Sequence, residues 1–421
     1  MSVIQTWAAT DVGRARKANE DSYLDVPELG LVAVADGMGG YKRGDVASEM
    51  ACRVLRESVE QGADLLAAYR ADPSELRREA VMEMLETAVQ QACRQIHDAS
   101  LGEGGEGGRM GTTMDAVLVV GSTAFLVHVG DGRVYLWRGG ELHSLTEDHT
   151  LVQQQLNEGL IDEAQARSAK NKNVITRALG VFASVLIDSL VFEVDPRDRF
   201  LLCSDGLHRY IGRRELGLLI EQHGPEAASR LFIQTANERG GRDNITAVMA
   251  QLASPQTEVG AEDDRTRQRM AVLRQVDIFQ SCTYRQLLEF ALRARDVEVG
   301  PGAVLFEDGQ PGEEFFVVVA GNVAIEKGGT RLASLGPGHY FGELVLIDRP
   351  VRSATARSVT ACRLLVIDRT SFLRLIRQDT ALGAAVLMQM LRKVAQHLRL
   401  TNERLVSETI TLDELDVEPL G

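Results

Sequence analysis

Four acidic settings, widely separated along the chain, most constrain how this sequence can fold. Around Asp36, Asp205 and Asp243 the aspartate stands where an apolar run ends or meets glycine, as at the end of a strand, and the fourth setting is the pair Glu20-Asp21. Carboxylates gathered at neighbouring strand ends repel one another, and cations relieve that repulsion. Because hard oxygen ligands suit Mg²⁺ or Mn²⁺ rather than zinc or copper, the pattern predicts a fold that gathers these residues around a pair of divalent ions.

The length and the charge of the chain limit the classes of protein to consider. At 421 residues it is too long for one ordinary domain, which favours two or three, and its 44% apolar content supports full-sized cores. Its 46 Lys and Arg against 60 Asp and Glu leave a formal charge of −14. This charge argues against a nucleic-acid partner and against an anionic membrane.

The sequence also indicates where the protein works. Its start has no basic segment followed by an apolar stretch, so we see no signal peptide, and no apolar run approaches the roughly 18 residues of a membrane helix. The five cysteines are scattered without a CxxC spacing, as small buried residues in a reducing cytosol would be. We therefore expect a cytoplasmic protein.

Short apolar runs and amphipathic stretches outline the first part of the chain. Runs bounded by turn residues predict strands at residues 30–35, 113–120, 124–129, 133–137, 200–203 and 246–252. Amphipathic stretches predict helices at residues 44–60, 73–100 and 148–167. Runs of strands broken by a few helices favour an α+β sandwich over a βαβ repeat.

The composition changes at Ala253. A segment with almost nothing to bury follows, then a helical stretch at 271–295, short β runs with glycine turns at 296–368, and helix from 371 to 405. We therefore expect a first domain over residues 1–252, a linker over 253–270, a second domain over 271–397, and a helix end with an acidic tail over 398–421.

The acidic settings have the chemistry of a two-metal hydrolase. Two ions about 3.5–4 Å apart activate a bridging water and clamp a phosphoryl group. Asp36 is the natural bridging ligand, the glycine-rich turn after it lets the carbonyl of Gly37 reach a metal, and Asp205 and Asp243 complete the set. Arg16 is placed to grip phosphate oxygens through two hydrogen bonds. Such a site needs no protein nucleophile, and no Ser-His or Cys-His arrangement is apparent in the sequence.

Short motifs in a fixed order identify a family. They are Gly-x-x-Arg-x-x-Asn-Glu-Asp at 13–21, Asp-Gly-Met-Gly-Gly at 36–40, Gly-x-x-Ala-Ser at 44–48, Gly-Thr-Thr at 111–113, Gly-Asp-Gly-Arg at 130–133, Thr-Arg-Ala-Leu-Gly at 176–180, Leu-Leu-Cys-Ser-Asp-Gly-Leu at 201–207 and Asp-Asn-Ile-Thr at 243–246. Through them, residues 1–252 resemble the metal-dependent serine/threonine protein phosphatases of the 2C type. The resemblance implies an αββα sandwich, in which helices flank a central pair of antiparallel sheets.

The same resemblance implies roles for individual residues. Arg16 would hold the phosphate and Glu20 would support the water shell. Asp131 matches the family residue that binds a third, weaker metal, although a plain turn residue is the alternative for it. The two principal ions would be held by Asp21, Asp36, Gly37, Asp205 and Asp243.

Two departures from the family pattern affect mechanism and specificity. Met38 stands where eukaryotic relatives have a histidine, so the general acid is unassigned. Ser168-Ala169-Lys170 stands where bacterial relatives often have His-Pro, which leaves substrate choice open. A phosphatase fold that has lost catalysis and serves as a scaffold is the alternative reading.

The second domain has the chemistry of a small anion-binding site. The short turn at 342–344 offers free backbone N–H groups, Arg352 adds a fixed positive charge, and Glu343 is an acceptor for a sugar hydroxyl. Phe-Gly-Glu-Leu at 341–344, Arg-Ser-Ala-Thr at 352–355 and glycines at the corners of a β roll make residues 271–397 resemble the cyclic-nucleotide-binding domain.

This second resemblance implies that Glu343 binds the ribose and Arg352 the cyclic phosphate, with Gly342, Leu344 and Ser353 completing the phosphate shell. The ligand implied by the resemblance would be cyclic AMP or cyclic GMP. Two alternatives stay open for this domain: Glu343 and Arg352 form a structural ion pair, or the domain is a docking module without ligand. The apolar stripe of the final helix favours packing against its own β roll, and a homodimer is the alternative for Leu387, Leu391, Val394, Leu398 and Leu405.

These patterns together predict a bacterial protein phosphatase dependent on Mg²⁺ or Mn²⁺. It would hydrolyse phosphoserine and phosphothreonine in protein substrates, with a cyclic nucleotide controlling the activity through the second domain.

Overall fold

The computed structural model describes residues 4–39, 43–101, 110–169, 171, 173–252, 261–347, 351–379, 382–396 and 399. The chain divides into two compact units, Met1–Arg265 and Thr266–Gly421. Residues 253–260 of the predicted linker, and all but residue 399 of the predicted tail, lie outside the described residues. The predicted domain boundaries therefore stay a prediction.

The first unit contains two antiparallel sheets. Its strands are β1 (Ile4–Asp11), β2 (Asp21–Val26), β3 (Leu31–Gly39), β4 (Met110–Thr112), β5 (Met114–Val120), β6 (Thr123–Val129), β7 (Arg133–Arg138), β8 (Glu141–Ser144), β9 (Asp188–Glu193), β10 (Arg199–Cys203) and β11 (Ile245–Leu252). One sheet has the order β1-β11-β10-β7-β8, and the other has the order β2-β3-β5-β6-β9 with β4 paired to β3. The predicted α+β fold with two antiparallel sheets is confirmed.

Helices cover the outer faces of both sheets. They are α1 (Gly44–Gln61), α2 (Ala63–Ala71), α3 (Glu75–Leu101), α4 (Leu151–Asn157), α5 (Glu163–Ser168), α6 (Asp205–His208) and α7 (Arg213–Glu238). Side chains of β3 point alternately to the two faces of its sheet. Leu31, Ala33 and Ala35 join the core formed with α1 and α3. Val32 and Val34 are buried on the opposite face, so both faces of the sheet are covered. A second core joins the five-stranded sheet to α6 and α7.

Two elements of the first unit differ from the sequence-based prediction. Strand β3 runs on to Gly39 instead of ending at Ala35, because β4 pairs with its last three residues. The helix predicted at 148–167 is two short helices. The chain turns at Gly159, whose φ of 69° is left-handed, and Asp162 then starts α5 with a capping box.

The second unit is a β roll of two four-stranded antiparallel sheets. Its strands are β12 (Arg295–Val299), β13 (Val304–Phe306), β14 (Glu314–Ala320), β15 (Val323–Lys327), β16 (Thr330–Leu335), β17 (Tyr340–Phe341), β18 (Thr355–Ser358) and β19 (Cys362–Asp368). The orders are β12-β19-β14-β17 and β13-β18-β15-β16. The helices are α8 (Ala261–Leu273), which contains the division between the units, α9 (Tyr284–Arg293), α10 (Leu344–Ile347) and α11 (Arg369–Gln378).

The helix predicted at 271–295 is interrupted. Helix α8 ends at Leu273, a 3-10 turn follows at Asp277–Phe279, and Thr283 starts α9 with a capping box. The side chain of Thr283 accepts the N–H of Gln286, which satisfies one of the free donors of the first turn. None of the described helices is both long enough and apolar enough to cross a membrane.

The helical residues 382–396 pack through a face other than the one predicted. Val386 and Met390 are fully buried, whereas Leu387, Leu391 and Val394 are exposed by 38%, 60% and 45%. The predicted packing of that stripe against the roll is therefore wrong for these three residues, because the helix turns the Val386 side inward. Leu398 and Leu405 of the same stripe lie outside the described residues.

Candidate functional site

Asp36 lies in the sheet, with its backbone held from both sides. It stands opposite Asp21 in the β2–β3 pairing. The hydroxyl of Thr113 accepts the N–H of Asp36 at 2.8 Å, and the carbonyl of Asp36 accepts the N–H of Thr113 at 2.9 Å and the hydroxyl of Thr112 at 3.0 Å. The Gly-Thr-Thr motif thus fixes the strand that carries the predicted bridging carboxylate.

Asp205 and Asp243 come to the same place from the other sheet. Asp205 is the first residue of α6, directly after β10, and Asp243 stands two residues before β11. Asp243 forms a two-pronged ion pair with Arg16, whose Nε lies 2.9 Å from Oδ1 and whose Nη2 lies 3.0 Å from Oδ2. The predicted phosphate-binding arginine therefore lies beside a predicted metal ligand.

Asp21 is tied to the elements that carry the other carboxylates. Its Oδ2 accepts the hydroxyls of Ser204 at 2.8 Å and of Thr246 at 2.7 Å. Ser204 precedes Asp205, and Thr246 lies in β11. These two hydroxyls orient Asp21 toward the edge where the sheets meet.

Three carboxylate oxygens at this edge are buried and find no hydrogen-bond partner among the described residues. They are the Oδ1 atoms of Asp21, Asp131 and Asp205. A buried charged oxygen without a partner is costly unless a cation lies beside it. The donor set is all oxygen, which fits Mg²⁺ or Mn²⁺.

The carboxylates also act on one another electrostatically. Burial first, and then the neighbouring carboxylates, raise the pKa of Asp21 to about 7 and that of Asp205 to about 8. The pKa of Asp36 is raised well above its usual value, mainly by burial and then by Asp21 and Asp205. A divalent cation would reverse this effect, because it favours the charged form of each group.

The carboxylates converge without forming a closed cage. Within the described residues, no three His, Cys, Asp or Glu side chains are grouped as in a formed metal site. The arginine contacts account for this, because Asp243 is paired with Arg16 and Asp205 with Arg209. Ion binding requires the Asp243 carboxylate to turn from Arg16 toward the metal, whereas Asp205 pairs with Arg209 through Oδ2 and leaves Oδ1 for an ion.

The remaining predicted residues of this site lie close by. The carbonyl of Glu20 accepts the N–H of Gly37 at 3.1 Å, and the Glu20 side chain lies against Gly44. Gly37 lies so near other backbone that an added Cβ would stand 2.1 Å from the carbonyl oxygen of Gly44. Asp131 follows β6, with its backbone carbonyl 2.8 Å from Nε2 of His208, which donates to it.

Sequence reasoning missed two residues that organise this site. The Oδ1 of Asn244 accepts the N–H of Glu20, and its Nδ2 donates to the carbonyls of Val12 and Ala18. Asn244 therefore holds the loop that carries Arg16. The second is Arg209, which follows Asp205 by four residues, a spacing that places the two side chains on one face of a helical turn.

In the second unit, Arg352 is buried inside the roll. Its exposed fraction is 4%, its Nη1 donates to the carbonyl of Glu314 at 2.7 Å, and its guanidinium lies 4.0 Å from the ring centre of Phe306. Burial lowers its pKa, and its Nε finds no partner among the described residues. The guanidinium thus has donor capacity left for an anion.

Glycines and a separate cavity define the surroundings of the predicted nucleotide site. Gly342, with a φ of 77°, lies so close to Arg352 that an added Cβ would stand 2.7 Å from Nη1. Glu343 lines a cavity of about 570 Å³ together with Tyr340, Lys393 and other residues, and Arg352 is not part of that lining.

The last two predicted nucleotide contacts lie at the surface. Leu344 is 40% exposed at the start of α10. Ser353 is exposed, and its carbonyl accepts Nζ of Lys327 at 2.9 Å. The structure places both residues beside the turn and the arginine that the sequence singled out.

Comparisons with known proteins assign families to both parts. The profile of the family Protein phosphatase 2C matches residues 14–253, and that of the Cyclic nucleotide-binding domain matches residues 296–379. The serine/threonine phosphatase stp of Listeria welshimeri is 37% identical over 246 residues, which are 58% of this chain and 93% of the relative.

Solved structures are similar over the first unit. The serine/threonine phosphatase PstP/Ppp of Mycobacterium tuberculosis is 35% identical with a TM-score of 0.52, and the match covers 60% of this chain and 100% of that one. The catalytic domain of the phosphatase PstP, in complex with two manganese ions, is 33% identical with a TM-score of 0.50 over the same shares. The family match at residues 14–253 contains all four acidic settings.

Proposed function

This protein belongs to the protein phosphatase 2C family and is a protein serine/threonine phosphatase joined to a cyclic nucleotide-binding domain, and we propose that it requires Mg²⁺ or Mn²⁺ and that a cyclic nucleotide sets its rate. The observation that supports the metal requirement is the set of buried carboxylate oxygens for which the described part of the chain offers no hydrogen-bond partner. The observation that supports the nucleotide is the buried guanidinium of Arg352, whose Nε finds no partner among the described residues.

The proposal assigns metal binding to residues of both sheets. Asp21, Asp36, Asp205, Asp243 and the carbonyl of Gly37 would hold the ions. Two divalent ions supply activation of water and stabilisation of charge on the phosphoryl oxygens. Asp36 lies within β3, Asp21 starts β2, and Asp205 and Asp243 stand beside β10 and β11, so the two sheets bring the backbones of the four residues to this place before any ion binds.

Arg16 would orient the phosphate of the substrate. Its planar guanidinium already binds both oxygens of the Asp243 carboxylate. A phosphate presents the same pair of oxygens, so it replaces the carboxylate without a change in the arginine's geometry. Asp243 is then released toward a metal ion, and Glu20, held by Asn244, lies next to this exchange.

In the proposed regulation, the cyclic nucleotide would bind the buried guanidinium of Arg352. A cyclic nucleotide brings one anionic phosphate and one sugar, which match Arg352 and Glu343. We expect binding to move the turn that contains Gly342, because this glycine lies against Arg352 and directly precedes Glu343. A ligand that favours the moved form shifts the equilibrium toward it, and that difference in affinity is the free energy available for control.

The partners follow from the two activities. The substrates would be proteins phosphorylated on serine or threonine, and the regulatory ligand would be cyclic AMP or cyclic GMP. The cytoplasm, predicted from the sequence, supplies all of these together with the divalent ions.

The proposal is tested with the full-length protein and a phosphopeptide in Mn²⁺, with and without each cyclic nucleotide. We expect a rate that depends on Mn²⁺, changes with at least one nucleotide, and loses the nucleotide response in Arg352→Ala. Arg331→Ala is the matched control, since Arg331 is an exposed arginine of the same roll. Calorimetry of nucleotide binding to the same variants separates loss of binding from loss of coupling.

Two results would replace the proposal with the alternatives. No heat with either nucleotide would make the second unit a docking module. No turnover with any divalent metal, against background measured with Asp205→Asn, would make the first unit a scaffold.

A further inference from the structure

Arg209 occupies the space between two buried acidic groups. Its Nη2 is ion-paired with Oδ2 of Asp205 and lies 3.5 Å from Oδ2 of Asp131. The N–H of Arg209 donates to the carbonyl of Asp205 at 3.1 Å, so the turn of α6 fixes the start of the arginine side chain. One guanidinium therefore reaches two carboxylates that come from opposite sheets.

The two carboxylates need a positive charge at this point. Asp131 and Asp205 are exposed by only 3% and 6%, and the Oδ2 atoms of both face the same guanidinium nitrogen of Arg209. Burial is the main cause that raises both pKa values, and Arg209 lowers both. Two like charges this close are tolerated only with a counter-ion, which Arg209 provides.

A third divalent ion does not fit beside this arginine. The resemblance to relatives implies a weak metal site at Asp131, next to Asp205. Here the facing Oδ2 atoms of both residues are used by the positively charged guanidinium. A divalent ion at the same oxygens would meet a fixed positive charge at contact distance, and the two cations would repel each other.

We infer that Arg209 replaces the third metal ion in this protein. The chain then binds two divalent ions, through Asp21, Asp36, Gly37, Asp205 and Asp243, and Asp131 serves as a partner of Arg209 instead of a metal ligand. Asp205 keeps its Oδ1 for the two-ion site, since only its Oδ2 is paired with Arg209. The inference rests on the two-metal site proposed above.

The test counts bound Mn²⁺ per full-length chain by isothermal calorimetry and by electron paramagnetic resonance of the free ion. We expect two ions in the wild type and in Asp131→Asn. Arg209→Ala is expected to bind a third, weaker ion, and Asp131→Asn in that background removes it again. Arg209→Lys is the matched control, because it keeps the cation and is expected to stay at two.

Two outcomes would overturn the inference. One is a third ion in the wild type that is lost in Asp131→Asn, a comparison that needs no change at Arg209 and so holds even where Arg209→Ala does not fold. The other is a folded Arg209→Ala that still binds two ions. Fewer than two ions in the wild type would instead contradict the two-metal site of the proposed function, so the failures of the two proposals are distinguishable.

Discussion

At the scale of single residues, the metal-binding role proposed for Asp36 opposes the stability of the metal-free fold. Its carboxylate lies near those of Asp21 and Asp205, and burial together with these neighbours raises its pKa well above the usual value. Ionising it without a divalent cation opposes folding, whereas the same charge is what binds the cation. Activity and metal-free stability are therefore expected to respond to Asp36 in opposite directions.

We expect Asp36→Asn to lower the phosphatase rate by more than about a hundredfold, since even groups outside the ligand set of metal enzymes contribute 10–100-fold. In EDTA the same variant is expected to be more stable, by about 1 kcal/mol, because one buried negative charge is gone. This corresponds to a rise in Tm of about 2–4 °C for a unit of this size. Phosphopeptide assays and calorimetry measure the two effects.

The control for this variant is Asp98→Asn, which removes an exposed carboxylate from α3 and is expected to change neither quantity. A lower Tm for Asp36→Asn in EDTA would contradict the electrostatic account of Asp36.

A pH dependence follows from Asp21 and Asp205. Their pKa values of about 7 and about 8 in the folded state lie above the unfolded value of about 3.9. The folded state therefore binds more protons, and without metal its stability falls as pH rises toward 8. Mn²⁺ binds the deprotonated groups, so the Tm difference between Mn²⁺ and EDTA is expected to widen from about pH 6 to 8.

Fluorimetric melting curves across this range measure the difference. It is expected to widen less in Asp205→Asn, which has one titrating group fewer. A gap that narrows with pH would mean that these carboxylates are not the groups that bind Mn²⁺.

The sequence predicted a site residue where its informative neighbours are close to it in the chain. It missed a site residue where the important partner is distant in the chain. Asp36 and Arg16 stand in motifs whose neighbours in sequence already indicate their chemistry. Arg209 has a local signal, because it lies one helical turn after Asp205. Its meaning depends on Asp131, which comes from the other sheet and 78 positions earlier in the sequence. No pattern of neighbouring residues in the sequence indicates that Asp131 lies beside Arg209 in the fold.

At the scale of elements, glycines in the second unit decide where Arg352 lies. A Cβ added at Gly312 would stand 2.1 Å from Nε and 2.5 Å from Cζ of Arg352, so the guanidinium must move. We expect Gly312→Ala to weaken cyclic-nucleotide binding by about tenfold or more, which is about 1.4 kcal/mol. Gly300→Ala is the matched control, because nothing lies within 4 Å of its added Cβ. An unchanged affinity of Gly312→Ala for the cyclic nucleotide would show that binding does not depend on the position of the Arg352 guanidinium.

The elements themselves were predictable where their signals are local. The runs at 124–129 and 200–203 became β6 and β10 almost as predicted, because turn residues bound them at both ends. The end of β3 was not predictable, since β4 extends it from more than 70 residues away. The face of the helix at 382–396 was also mispredicted, because apolar spacing shows that a stripe exists but not which side the roll covers.

At the scale of the whole molecule, the two units have separate hydrophobic cores, and the ligands proposed for them are different. The first unit contains the carboxylates that would bind Mn²⁺, and the second contains Arg352 and Glu343. A ligand stabilises the unit that it binds by RT ln(1 + [L]/Kd), which is about 2.7 kcal/mol at one hundred times Kd. Each ligand is therefore expected to raise the unfolding temperature of the unit that binds it more than that of the other unit.

We expect scanning calorimetry of the full-length protein to show two transitions. Mn²⁺ at one hundred times its Kd is expected to raise the transition of the first unit by about 5–10 °C, and a cyclic nucleotide at the same excess is expected to raise that of the second. Asp205→Asn abolishes only the first shift and Arg352→Ala only the second, and these variants serve as controls for each other. A single transition raised equally by both ligands would contradict this expectation. It would show that the two units unfold together, so that a ligand bound to one unit also stabilises the other.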